Sequence, residues 1–345
     1  MTKIIKNIKK DKMKIKKDKM KIKKDKTKIK KDKMKIKKDK TKIKKDKMKI
    51  KKDVKIKSND LIKLVPRPST SANSIPLKFP GIRVAQCEYH EGPVGLTYIH
   101  FNRGARVYME ARGGYPAYIS TLSTHDKQLT GSILIAGGSV LGLEANAGVI
   151  AESMKSAKYR GWHGGEAAII YSHNLWTNKI YPDKALGRFA FNRRDKYLYN
   201  GQVGAGLSAA HGQGFGYREL VGGMKILALC VNNAVGTVYK DNKPAHYWRG
   251  RDEAWLDKVN IGKNTTIIVM MTNVDLDHDE LRQMNQQVNV SIGESIRPFN
   301  TLFDGDVLYT CSTRKIKHKM NDSQLTKFFM ICSDVLKEAI HNSIL

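Results

Sequence analysis

The chain has 345 residues, 41% of them hydrophobic, with 63 Lys+Arg against 32 Asp+Glu and a net charge of +31. The charge is uneven: the first 57 residues hold 30 lysines and 7 aspartates, a net of +23, so the body carries only about +8 and has the composition of an ordinary soluble domain. No apolar run is long enough for a membrane-spanning helix. Cys87, Cys230, Cys311 and Cys332 lie far apart with no Cys-x-x-Cys, which speaks against a disulfide framework or a zinc site and for buried thiols in a reducing cytoplasm.

In chain order, residues 1–57 form a seven-residue repeat, Lys-Ile-Lys-Lys-Asp-Lys-Met or Thr, with aspartates at 11, 18, 25, 32, 39, 46 and 53. A period of seven suggests a coiled coil, but Met13, Ile15, Met20 and Ile22 recur at spacings of two and five. On a helix that spacing puts Met and Ile on opposite sides, so no apolar seam exists. With dense like charge and few large apolar groups, the segment cannot offset its ordering entropy, and a disordered basic tail is expected, with transient helix from Lys–Asp pairs. Its functional reading is non-specific, salt-sensitive polyanion binding. The regular aspartates and the lack of an apolar stretch fit neither a signal nor a transit peptide. Residues 58–77, with Pro66, Pro68, Pro76 and a Ser/Thr/Asn cluster, read as a linker to a domain over 78–345.

Within that domain, apolar alternation over 94–101 and 105–111 predicts two strands, and the run 224–231 predicts a buried one. Small-residue-rich 142–154 predicts a tightly packed helix. Asp277 to Glu280 reads as a capping box opening a helix whose Leu281, Met284, Val288 and Ile292 share one face. A strand is expected over 303–310 and a last helix over 323–342, with Phe328, Cys332, Val335 and Ile340 facing inward. Mixed elements in this order suit an α/β (α+β) fold with a sheet-on-sheet core covered by helices.

The candidate chemistry sits at Gly262-Lys263-Asn264-Thr265-Thr266, immediately before the apolar run 267–271. A backbone break before Thr265 would set a free α-amine beside the hydroxyl it can activate, making one residue both base and nucleophile. Asn-Thr-Thr is equally an N-glycosylation sequon or a polar strand start. Rival chemistries lack their signatures: Gly204-Ala-Gly206 has no third dinucleotide-binding glycine, and there is no P-loop, no His-Glu-x-x-His and no Gly-x-Ser-x-Gly. Neither a cofactor nor a metal is expected.

Further blocks follow in order: Phe79-Pro80-Gly81, Glu91-Gly92-Pro93, Gly137-Gly138-Ser139 with Gly142-Leu143-Glu144-Ala145, Tyr181-Pro182-Asp183-Lys184-Ala185-Leu186-Gly187-Arg188, Val203-Gly204-Ala205-Gly206, Asn233-Ala234-Val235-Gly236 and Asp304-Gly305-Asp306. Together with Asn-Thr-Thr they resemble the L-aminopeptidase/D-esterase family of self-processing N-terminal-nucleophile hydrolases over about residues 78–318. The likeness is nearest to its nylon-oligomer-hydrolysing branch, since the aminopeptidases have Gly-Ser at the cleavage point.

The resemblance implies a four-layer αββα sandwich and cleavage between Asn264 and Thr265 into 1–264 and 265–345. It implies Thr265 as nucleophile and Lys184 as a buried lysine tuning proton transfer. Asn233 would be the oxyanion donor, its register uncertain by one against Asn232, and Asp304 and Asp306 would orient Thr265 and balance Lys184. The implied substrates are linear amides such as 6-aminohexanoate oligomers, or short peptides, and the implied assembly is a tetramer of processed heterodimers. Leu141 stands where the oligomer-hydrolysing branch has a tyrosine, a departure that bears on substrate preference. The competing reading is an uncleaved, inactive scaffold that binds polyanions through its tail.

Overall fold

A computed structural model describes residues 57–119, 129–155, 165–170, 179–246 and 264–344, with isolated positions 35 and 37. The tail expectation for residues 1–57 therefore falls almost wholly outside the described residues, as does the Gly262-Lys263 lead-in to the proposed cleavage point. Residues 57–345 cluster as one compact unit.

The elements that build it are β1 (Ile82–Tyr89), β2 (Val94–Ala111), β3 (Thr130–Ala136), α1 (Glu144–Met154), β4 (Gly165–Ile169), α2 (Lys184–Asn192), β5 (Gly212–Glu219), β6 (Lys225–Asn233), β7 (Thr265–Val274), α3 (His278–Ser295), β8 (Val307–Ile316) and α4 (Asp322–Asn342). The two strands expected over 94–111 are one. Asn102-Arg103-Gly104 looks like a turn in sequence, but it is where the pairing of β2 with β3 slips register, between His100 and Ala105. Such a slip bends a strand without ending it. The first half of β2 pairs with β1 and β3, and the second half pairs with β8, which continues through β7 and β6 to β5. One bent strand thus belongs to two sheets.

Alternation along these strands sorts the apolar residues into three interfaces, since successive side chains point to opposite faces. Val84, Ile99, Phe101, Ile133 and Ile135 of the first sheet pack with Leu227, Leu229, Val231, Ile267, Val269 and Tyr309 of the second, forming the sheet-on-sheet layer. The other face of the second sheet, with Ile226, Ala228, Cys230, Ile268 and Met270, is covered by Leu281, Met284, Val288 and Ile292 of α3 and by Phe328, Cys332, Val335 and Ile340 of α4. The other face of the first sheet, with Ala85, Cys87, Leu96 and Leu134, is covered by α1 and α2 through Ala145, Val149, Leu186 and Ala190. The order is helix, sheet, sheet, helix, as the resemblance implies.

Local signals hold at the helix ends. Asp277 accepts the Glu280 N–H at 2.8 Å while Glu280 accepts the Asp277 N–H at 2.8 Å, closing the capping box of α3. The expected 303–310 strand is displaced to Val307–Ile316, because residues 301–306 turn around buried carboxylates instead. Residues 58–77 are docked on the domain: Arg67–Pro68 pairs with β1, Ser74–Pro76 pairs with Tyr197–Tyr199, and Ser69 is fully buried. All four cysteines are buried free thiols. Among the described residues no helix is long and apolar enough to cross a membrane, and no group of His, Cys, Asp or Glu is arranged to hold a metal.

Candidate active site

Thr265 opens β7, between β6 and the lead-in to β8. In the antiparallel pairing of β6 with β7, Asn233 stands opposite Thr265 and Asn232 opposite Thr266. Parity with Val231 and Ile267 turns Asn233 and Thr265 toward the inter-sheet layer, whereas Asn232 turns outward and donates to Ser343 Oγ at 3.2 Å. In this pairing Asn233, and not Asn232, stands across from Thr265. Its amide oxygen accepts the Ala210 N–H at 2.8 Å, which orients the group.

On the other side, Asn264 bridges Asp304, and the Gly305 N–H donates to the Asn264 carbonyl at 3.0 Å. The Thr265 hydroxyl donates to the same carbonyl at 2.6 Å. Two donors therefore converge on the oxygen of the one peptide bond that the sequence marks for cleavage. Glycine is required at 305 because a side chain there would come within 2.6 Å of the Tyr115 carbonyl and 3.1 Å of Thr265 Oγ. Thr265 is 4% exposed, and Asn264 and Asn233 are also buried.

Both aspartates are buried, and they work through the backbone rather than on the hydroxyl. Asp306 accepts the Thr266 N–H at 2.6 Å and the Asn300 N–H at 3.1 Å. Asp304 accepts the Val235 N–H at 3.1 Å, the Thr301 N–H at 3.2 Å and the Thr301 hydroxyl at 2.6 Å. Asp306 thus pins the start of β7, and Asp304 ties the turn after Asn233 to the loop carrying Gly305. Burial, followed by the charge of Asp304, pushes the Asp306 carboxyl up to about 8. Burial raises Asp304 as well, so the pair holds a proton near neutral pH.

Lys184 differs from its expectation. It is the first residue of α2, exposed rather than buried, with its backbone N–H 3.5 Å from a Glu144 carboxylate oxygen. Among the described residues no hydrogen bond or ion pair joins it to Thr265, Asn233, Asp304 or Asp306. The physical reason is its place in the helix: Asp183 caps α2 by accepting the Ala185 and Leu186 N–H groups, and Leu186, Gly187 and Ala190 take the buried face. Leu141 is 45% exposed in the 3-10 turn Ser139–Leu143 that precedes α1. Sequence reasoning missed Gly305 as a donor, although a glycine between two aspartates signalled close approach, and it missed Thr301, which nothing in the sequence marks.

Comparison with known proteins identifies the fold and the family. The l-aminopeptidase D-ala-esterase/amidase from Ochrobactrum anthropi, a variant of the Ntn hydrolase fold, superposes with a TM-score of 0.60 at 17% identity, covering 80% of this chain and 88% of that one. A Burkholderia sp. beta-aminopeptidase superposes with a TM-score of 0.60 at 18% identity, covering 84% and 91%. The fold is therefore that of the N-terminal-nucleophile hydrolases. The profile of peptidase family S58 matches residues 77–345. The chain is 35% identical over 290 residues to a 6-aminohexanoate-oligomer endohydrolase of Agromyces sp. (strain KY5R), covering 75% of this chain and 80% of that protein. A second 6-aminohexanoate-oligomer endohydrolase, from Kocuria sp. (strain KY2), is 34% identical over 292 residues with the same coverage. The chain belongs to peptidase family S58 and is a hydrolase acting on amide bonds.

Proposed function

We propose that the chain cleaves itself between Asn264 and Thr265 and then hydrolyses linear amides such as 6-aminohexanoate oligomers, with Thr265 as nucleophile. The carrying observation is the convergence of the Thr265 hydroxyl and the Gly305 N–H on the Asn264 carbonyl. In the self-cleavage, Thr265 Oγ attacks the Asn264 carbonyl carbon, and the Gly305 N–H steadies the negative charge developing on its oxygen. The Oγ proton passes to the Thr265 nitrogen, and the tetrahedral adduct then collapses with loss of the C–N bond, leaving an ester between Asn264 and Thr265 Oγ that water hydrolyses. The products are the Asn264 carboxylate and a free Thr265 amine.

In turnover that amine takes the Oγ proton, Oγ attacks the substrate carbonyl, and the amide NH2 of Asn233 stabilises the oxyanion. The leaving amine departs with a proton, and water releases the acyl group from Thr265. Asp304 and Asp306 hold the two strand ends in register throughout. Lys184 is assigned to the processed enzyme, as the charge that keeps the new amine neutral; among the described residues of the intact chain no hydrogen bond or ion pair joins it to the cluster. Processed chains are proposed to assemble as a tetramer of heterodimers in the cytoplasm.

Denaturing electrophoresis with mass spectrometry of the smaller species tests the proposal. Wild type should give two chains, the smaller starting at Thr265 and spanning 265–345. Thr265→Ala should stay intact, folded and inactive toward 6-aminohexanoate oligomers. Turnover by an uncleaved chain would remove Thr265 as nucleophile, and cleaved protein that accepts only short peptides would leave the mechanism and replace the substrate.

A further inference from the structure

A concavity of about 450 Å3 opens between the first sheet and the α1–α2 pair. None of its lining residues belongs to the Thr265 cluster. Its floor is one lateral row across three strands, in which Arg83 of β1 stands opposite His100 of β2 and His100 stands opposite Ser132 of β3. These three share the face of Ala85, Leu96 and Leu134, which is otherwise apolar and turned to the helices. Val149 and Ile150 of α1 and Phe191 of α2 form the walls, and Arg103 stands at the rim.

The charges are one-sided. Among the described residues no Asp or Glu lines the cavity, and neither Arg83 nor Arg103 makes an ion pair through its side chain. The Arg83 guanidinium lies over the Phe191 ring at 5.7 Å, and burial, with Arg194 adding repulsion, pulls its pKa down. The His100 imidazole meets the Tyr98 hydroxyl at 3.2 Å. Burial, then Arg83 and Arg194, lowers His100 to about 4, so at neutral pH it is an uncharged hydrogen-bonding group. A partly desolvated cation with no counter-charge costs free energy that an anion would offset.

We propose that this cavity is a second ligand site, for a medium-chain monocarboxylate whose carboxylate lies between Arg83 and Arg103 and whose alkyl body lies against Val149, Ile150 and Phe191. Two guanidinium forks suit a planar carboxylate, and the apolar walls supply what a bare inorganic anion leaves unused. The volume lies within the usual range for small-molecule sites. An alkylammonium group finds no counter-charge there among the described residues. The proposal stands apart from the chemistry of Thr265.

Calorimetric titration of full-length Thr265→Ala protein with hexanoate, hexylamine and inorganic phosphate decides it. Hexanoate should bind saturably, hexylamine should not bind, and phosphate should bind at least about tenfold more weakly. Arg83→Met should weaken hexanoate by about tenfold, and Arg103→Gln at the exposed rim by about threefold, each at unchanged melting temperature. Should Arg83→Met unfold, Arg103→Gln carries the decision. Absence of saturable hexanoate binding, indifference to both substitutions, or phosphate binding as tightly as hexanoate would each overturn the assignment.

Discussion

Asp306 is 2% exposed, yet both of its oxygens accept backbone N–H groups, from Thr266 and Asn300. Those bonds favour the ionised form, and burial beside Asp304 disfavours it more, so the carboxyl keeps its proton up to about pH 8. An unfolded aspartate releases its proton near pH 4. Between these values the folded state binds more protons, so this group's contribution is full below about pH 4 and is lost as pH rises to about 8. His100 acts oppositely: its folded pKa of about 4 lies below the unfolded value, so its contribution rises with pH and is complete near 6.5. From pH 6.5 to 8 only the aspartate effect of these two remains. Uncleaved Thr265→Ala protein should therefore melt at a lower temperature at pH 8 than at pH 6.5. Adding Asp304→Asn, which removes the neighbouring charge, should reduce that drop, and an undiminished drop would place its cause elsewhere.

At the scale of elements, the octad Tyr181 to Arg188, one of the blocks on which the family resemblance rests most, is mainly architecture. Asp183 caps α2 and accepts the Tyr89 hydroxyl at 2.6 Å. Leu186 is fully buried, and Gly187 lets two helices touch. A side chain at 187 would come within 1.9 Å of the Ala145 carbonyl, and one at Gly148 within 2.2 Å of the Lys184 carbonyl. Gly187→Ala should therefore destabilise the protein by about 1–3 kcal/mol, through forced separation of α1 and α2. Gly293→Ala in α3, where a side chain meets open space, should stabilise it by about 0.5–1 kcal/mol. Thermal unfolding of the two variants checks both signs; equal shifts would mean that the α1–α2 contact yields easily. The octad shows why sequence reads elements better than sites. Caps and apolar periodicity are local, so the start and buried face of α3 and both ends of α4 are legible within a residue or two. A lysine beside a cap carries no local mark of whether it faces solvent or a nucleophile. Asn233 was legible only to within one residue, because its face depends on the register of β6 against β7, a pairing across some thirty residues of chain.

Over the whole molecule, the four layers follow from three apolar faces that alternation creates and that only stacking can bury. The bend of β2 into both sheets was not legible, because Asn102-Arg103-Gly104 carries the composition of a turn. The lysine repeat stands outside this logic. It brings +23 of the chain's +31 and no apolar seam, so it adds charge without adding core. Every member of the Thr265 cluster lies between residues 233 and 306, well inside the span that matches family S58. Deleting residues 1–57 is therefore expected to leave self-cleavage intact and to change turnover of a small neutral amide by less than about twofold. The same deletion should move elution from heparin to lower salt, because the +23 segment would otherwise release counterions from the polyanion on binding. The difference should be widest at low ionic strength, where screening is least. Paired measurements of turnover and heparin elution on the full-length and shortened chains separate the two roles. A folded, cleaved, shortened enzyme that had lost hydrolysis of a small amide would make the tail part of the active assembly, and unchanged elution would remove its role as a polyanion-binding arm.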